Sequence, residues 1–278
     1  VIWLVLSIFV DFVFVQLFKV GQRRGLHSPT VVTMNYLIVA VSIFLYLIVT
    51  DQFTLSYPMV LTGLVTGVAF ISAMLTITHS FEIAPAGAVF TANRMSVAVP
   101  VAMGVWVWNE PIDVEQIAGI SLAFLALAMM TSGIDGSKHT SGPRALGLFL
   151  AILFLQGLSH TCLRSVHYNG LDDAFLQVLM ITGATAGTIG CTAITILRRR
   201  PRADELKLGG FIGLYNALAL CVIMTALSKL PGTLFFPVVG CSVVLLDNLT
   251  AHFFWRERLN RIAAAGVAVA ALAIVLVV

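Results

Sequence analysis

The sequence is poor in charge: Asp, Glu, Lys and Arg make up 10% of its 278 residues, against about a quarter in a soluble globular domain. No polar linker longer than about ten residues interrupts it, which leaves no room for a soluble catalytic domain, a nucleic-acid module or a large ectodomain. A Walker A loop, a nucleophile elbow and an H-E-x-x-H motif are all missing, so neither ATP-driven pumping nor hydrolase chemistry has a motif to stand on. Cysteine is scarce, and Cys162, Cys191, Cys221 and Cys241 fall in four different apolar runs, the pattern of buried free thiols. His79, His167 and His252 lie near run ends, and no pair has ligand spacing within one helix, so no metal site and no cofactor is expected.

What fills the chain instead is apolar sequence, 59% of it. About 20 apolar residues cross roughly 30 Å of hydrocarbon as a helix. Ten such runs are found, near 1–19, 30–50, 58–80, 84–109, 115–134, 144–164, 173–197, 207–229, 231–255 and 261–278. The expected fold is all-α and integral to the membrane, with ten transmembrane helices. The first run leads directly into another span, so it reads as a retained helix rather than a signal peptide; the chain does not begin with Met, so terminal residues could be absent.

The Lys and Arg residues are unevenly placed. Thirteen, from Lys19, Arg23 and Arg24 to Arg256, Arg258 and Arg261, follow runs 1, 5, 7 and 9, whereas the opposite loops hold only Arg164 and Lys229. The positive-inside rule makes the basic face cytoplasmic in the cell's inner or plasma membrane, with both termini extracytoplasmic.

A shift of 147 residues superimposes the two halves. "WNEPIDVEQIAGISLAFLALAMM" (108–130) meets "WRERLNRIAAAGVAVAALAIVLV" (255–277), matching Trp108 to Trp255, Glu110 to Glu257 and Gly119 to Gly266. Pro85 and Pro231 open runs 4 and 9 in nearly equivalent places. Residues 1–134 and 144–278 are thus read as two repeats of five spans. An odd number makes the second cross in the opposite sense, and inverted repeats are an architecture of secondary transporters.

The segments "WVWNEP" and "FFWRERL", each with a Glu before a final helix bearing a mid-helix Gly, and the stretches "NRMSVAVPV" and "FFPVVGCSVVLLDN", resemble the drug/metabolite transporter superfamily, in particular its ten-span EamA-type members. The resemblance covers essentially the whole chain and implies transport of a small metabolite, without naming it. A shorter one is to the four-span small multidrug resistance proteins: "DFVFVQLFK" holds Asp11 eight residues before Lys19, and "ALSKLPG" is similar to the end of their third span. In those proteins the acidic residue exchanges protons for cations. The better-known ten-span members have cytoplasmic termini, a departure from the charge bias here that leaves the direction of transport open.

Within the runs, Asp11, Arg94 and Asp247 are the firmly intramembrane charges. An ionisable group at the bilayer centre costs about 2.5–3.5 kcal/mol even on permissive scales, so these should face inward and find partners. Counted from the basic loops at about 1.5 Å per residue, all three lie about 12–14 Å below one face. Two acids and a base leave a charge of −1 for a proton or a cationic substrate to balance; alternatively one Asp is protonated and Arg94 grips a substrate carboxylate in a bidentate fork. The plainer reading is a fixed ion pair that locks helices together.

Asn93, Asn35, Tyr36, His160, Tyr215, Asn216 and Phe236 are further candidates for a substrate or proton site, each alone being more often an interhelical contact. Pro100 and Pro237 lie inside runs 4 and 9 and are read as hinges. "GLVTG" (63–67) and "GATAG" (183–187) are small-residue faces for close helix packing. The expectation is a secondary active transporter working by alternating access, not an enzyme, with proton coupling open, no nucleic-acid partner, and a monomer or weak dimer in the bilayer. The alternatives are a proton-coupled exporter of cationic or aromatic drugs and, from another class, an intramembrane lipid-modifying enzyme or a non-transporting sensor.

Overall fold

The computed structural model describes residues 2–83, 86–131, 143–253 and 261–277. Pro85 and the "WRER" stretch with Trp255 and Glu257 lie outside the described residues. The described part is all-helical: α1 (Ile2–Arg23), α2 (Ser28–Val49), α3 (Tyr57–Ile83), α4 (Ala86–Met95), α5 (Ala98–Trp106), α6 (Val114–Thr131), α7 (Pro143–Tyr168), α8 (Phe175–Ile196), α9 (Ala203–Leu227), α10 (Gly232–Phe253) and α11 (Arg261–Val277). Six of these (α1, α2, α3, α7, α8 and α9) carry stretches long and apolar enough to cross a membrane, and Val114–Ala126 and Gly232–Asp247 are shorter apolar stretches.

Two helix boundaries depart from the hydropathy reading for electrostatic reasons. Lys19 and Arg23 belong to α1 rather than to the loop after it, since cations are favoured in a helix's last turn and their stems can lie along apolar surface. α9 begins at Ala203, not near 207, because Glu205 in its first turn accepts the Arg202 N–H at 2.9 Å, half of a capping box.

The larger departure is in the fourth run, where a turn at Ser96–Val97 separates α4 from α5. Pro100 has no N–H to give the Ser96 carbonyl, which is satisfied instead by the Val99 N–H at 3.0 Å. The Ser96 hydroxyl meanwhile donates to the Asn93 carbonyl at 2.6 Å, a local bond that competes with the helical ladder. α7 passes against this turn at Gly157, where an added Cβ would lie 2.8 Å from the Ser96 oxygen and 2.5 Å from the Val99 Cβ.

The chain forms two compact units, residues 1–12, 79–161 and 229–278, and residues 13–78 and 162–228. Each draws on both sequence halves. In the first, α6 packs along α11 through Ala123, Ala126, Ala270 and Ala273, all almost fully buried, with Cys241 and Val244 of α10 against them. In the second, α2 packs on α8 and α9. There an added Cβ at Gly183 would sit 2.8 Å from the Tyr36 carbonyl, so α2 and α8 touch backbone to backbone.

Helix bounds recur at the spacing found in the sequence. Both ends of α8 lie 147 residues after those of α2, and α11 starts 147 after α6. Asp51 and Arg198, also 147 apart, both take positive φ, 55° and 49°, just past the ends of α2 and α8. The alanine pairs of the α6–α11 seam, 123 with 270 and 126 with 273, have the same offset.

Because Gly157 abuts a backbone carbonyl and a β-branched side chain, Gly157→Ala should force α7 away from the turn. The expected cost is about 1–3 kcal/mol, read as a lower melting temperature in detergent, while Gly147→Ala, which meets nothing within 4 Å, should be nearly neutral.

Candidate functional site

Arg94 occupies the last turn of α4, where outward-pointing carbonyls favour a cation. Its Nη2 donates to Asp247 Oδ2 of α10 at 3.1 Å, with the two side chains 14% and 21% exposed. Asp11 of α1 feels the charges of both Arg94 and Asp247. His160 of α7 also feels Arg94, is hydrogen-bonded to Gln156 one turn earlier at 3.2 Å, and has its ring 5.6 Å from that of Phe236 on α10. The Asn93 Oδ1, next to Arg94, is buried without a hydrogen-bond partner among the described residues. Six sequence-picked residues, Asp11, Asn93, Arg94, His160, Phe236 and Asp247, therefore belong to one compact unit.

The backbone around them is broken at one place and carries a proline inside a continuous helix at another. Pro100 is in the first turn of α5, just past the α4–α5 turn. Pro237 lies inside α10, directly after Phe236, and removes an N–H from that ladder. Ionisable side chains beside a broken helix, on apolar sequence, have the composition of a polar ligand site inside hydrocarbon.

The other four candidates belong to the second unit. Asn216 Nδ2 donates to Asn35 Oδ1 at 3.1 Å, linking α9 to α2. Tyr36 packs edge-to-face on Phe70, with ring centroids 6.0 Å apart, in a cluster with Val32, Ile71 and Ala186. Tyr215 is half-buried beside Asn216. The Asn pair and Tyr36 make interhelical contacts, and Asn35 Nδ2 is left buried without a hydrogen-bond partner among the described residues.

Three further residues matter more than their sequence positions suggested. Glu110 is buried, and its Oε1 and Oε2 accept the N–H groups of Gly232 and Thr233 at 3.0 and 2.8 Å, so one carboxylate caps the start of α10. The buried Arg164 donates to the Leu227 carbonyl at the end of α9 and to the Tyr168 hydroxyl at 3.3 Å. Glu205, fully buried, accepts the His27 N–H and Arg199 Nη2, each at 3.1 Å. "WNEP" offered a hint of the first; for the others one partner each, the Leu227 carbonyl and the His27 N–H, is a main-chain atom far away in sequence, which no motif marks. Among the described residues no three His, Cys, Asp or Glu side chains come together to hold a metal ion.

The six helices long and apolar enough to span a bilayer mark the chain as an all-helical, multi-pass membrane protein. No protein-family model matches the sequence. An uncharacterized protein of Haemophilus influenzae is 21% identical over 256 residues, 88% of this chain and 87% of that protein. A solved crystal structure superposes with a TM-score of 0.80 over 99% of this chain and 94% of its own at 10% identity, a likeness of fold alone.

Glu110→Gln keeps the side chain's shape but turns an amide N–H toward one of the two α10 donors. It should lower the melting temperature by an amount equivalent to about 1–3 kcal/mol, the usual penalty for a buried group left without its partner, with the helix content by circular dichroism unchanged.

Proposed function

We propose that this chain is a secondary active transporter of a small organic solute, with ten spans arranged as two inverted repeats in the manner of EamA-type proteins. The observation that carries the reading is the Arg94–Asp247 pair, with Asp11 and His160 within electrostatic reach, at a break in an otherwise apolar span. Ionisable side chains in this setting are expensive, and in transporters they mark the substrate and ion path. The 147-residue recurrence of helix bounds, of the positive-φ residues and of the alanine seam supports duplication. On this reading α4 and α5 are one discontinuous span, α10 is its partner in the second repeat, and Pro100 and Pro237 are hinges. The solute is charged or zwitterionic: Arg94 offers the guanidinium N–H groups that Asp247 does not engage among the described residues to an anionic group, and Asn93 Oδ1, unpartnered among the described residues, accepts from a donor.

Proton-coupled export of cationic or aromatic compounds is the second reading, and a specific observation favours it. Asp11 makes no hydrogen bond or ion pair among the described residues, while Arg94 is engaged by Asp247. A carboxyl group in that position exchanges a proton for a cation without first breaking a salt bridge. The charge bias puts the loops after α1 and α8 in the cytoplasm and both termini outside.

Liposomes loaded with amino acids, nucleosides, sugars, polyamines or quaternary amines test the proposal. Flux of at least one class is expected, abolished in Arg94→Gln and made independent of the pH gradient in Asp11→Asn. An absence of flux across the panel, or full flux in both variants, would overturn it.

A further inference from the structure

The second unit carries a cluster of basic side chains at one of its helix turns. The turn from α8 into α9 reads "RRRPR" (198–202), and Arg198, Arg199, Arg200, Arg202 and Lys207 are all exposed. The end of α1 adds exposed Arg23 and Arg24. Buried Glu205 ties the two segments together, accepting from His27 of the α1–α2 turn and from Arg199 and Arg202 of the α8–α9 turn. Leu208 also lies directly against Gly21. One end of the unit is thus a cluster of guanidinium groups, bordered by Ile196 and Leu197, which are 74% and 71% exposed.

Local physics does not call for these cations. Arg198 adopts φ of 49°, a conformation that Gly, Asn or Asp takes more readily; at the corresponding turn after α2 the chain has Asp51, with φ of 55°. Arg202 is the N-cap of α9, a position that favours Ser, Thr, Asp or Asn and an end of the helix that disfavours positive charge. The α2–α3 turn, "DQFTLSY" (51–57), contains no basic residue at all. Apart from Arg199, which Glu205 engages, the turn geometry is attainable without arginine, and the remaining charge faces the surroundings of the chain.

We propose that this cluster is a binding surface for anionic phospholipid headgroups, with the acyl chains lying along Ile196 and Leu197. In a membrane-spanning chain, the neighbour at a helix end flanked by exposed aliphatic side chains is lipid. A phosphodiester matches the guanidinium fork, and several Arg together distinguish an anionic from a zwitterionic headgroup. The surface is independent of the transport reading.

The test uses the purified full chain titrated with phosphatidylglycerol or phosphatidylcholine, with bound lipid counted by native mass spectrometry and melting temperature followed in parallel. Phosphatidylglycerol should bind more tightly and stabilise more, and the preference should shrink with added salt. The triple variant Arg198→Asn, Arg200→Gln, Arg202→Gln spares the Glu205 partner Arg199. It should bind phosphatidylglycerol on the order of 100-fold more weakly, while melting in phosphatidylcholine at or above the wild-type temperature, since Asn suits the positive φ at position 198 and a cation is removed from the start of α9. The triple Lys variant at the same positions should keep most of the preference. Equal affinity for the two lipids, undiminished phosphatidylglycerol binding in the first triple variant, or equal stabilisation by inorganic phosphate alone would overturn the assignment.

Discussion

Inside a bilayer no water is available to complete the backbone hydrogen bonds, so every N–H or C=O released from a helical ladder must find its partner within the protein. Much of the scarce polar chemistry of this chain answers that demand. Glu110 accepts the first N–H groups of α10, Arg164 donates to the last turn of α9, and Glu205 accepts N–H groups at two helix starts. At the α4–α5 turn the Ser96 carbonyl takes the Val99 N–H in place of the one Pro100 lacks. Each of these charges is bound to backbone at a helix end, and each is accounted for by folding. Arg94 and Asp247 differ: their bond joins two side chains, and the nearby Asp11 and His160 add titratable groups that no helix end requires.

The small residues make the helix contacts possible. Without water to drive helices together, close approach depends on packing and on small interfaces. The Ala123–Ala126 and Ala270–Ala273 seam brings α6 onto α11, and Gly183 brings α8 onto the backbone of α2. In both cases the helices that pack are those 147 residues apart in sequence.

Much of this could be read from the sequence, and the rest could not for identifiable reasons. Long apolar runs revealed the helices, and counting residues from the basic loops put Arg94 and Asp247 at one depth, where they are in contact. The α4–α5 turn stayed hidden because Ser96 to Pro100 is continuous in hydropathy with its flanks; the cue was a serine four residues before a proline, which is common in intact membrane helices. Glu110, Arg164 and Glu205 were obscure because their partners are backbone atoms up to 178 residues away, and side-chain identity does not specify such contacts. Asn35 and Asn216 bond each other across α2 and α9, while Asn35 Nδ2 is buried without a hydrogen-bond partner among the described residues.

A buried ion pair can be exchanged for apolar side chains of similar volume with little loss or even a gain in stability; if the pair only fastens helices the activity survives the exchange, whereas a pair that recognises a ligand takes the activity with it. The central claim is that Arg94 and Asp247 form a ligand site. The direct measurement is the double variant Arg94→Met, Asp247→Leu, followed for melting temperature and for solute flux in the same liposome preparation. The account predicts a folded protein that melts near or above the wild-type temperature and carries no solute. Wild-type flux in that variant would reduce the pair to a clamp and contradict the account.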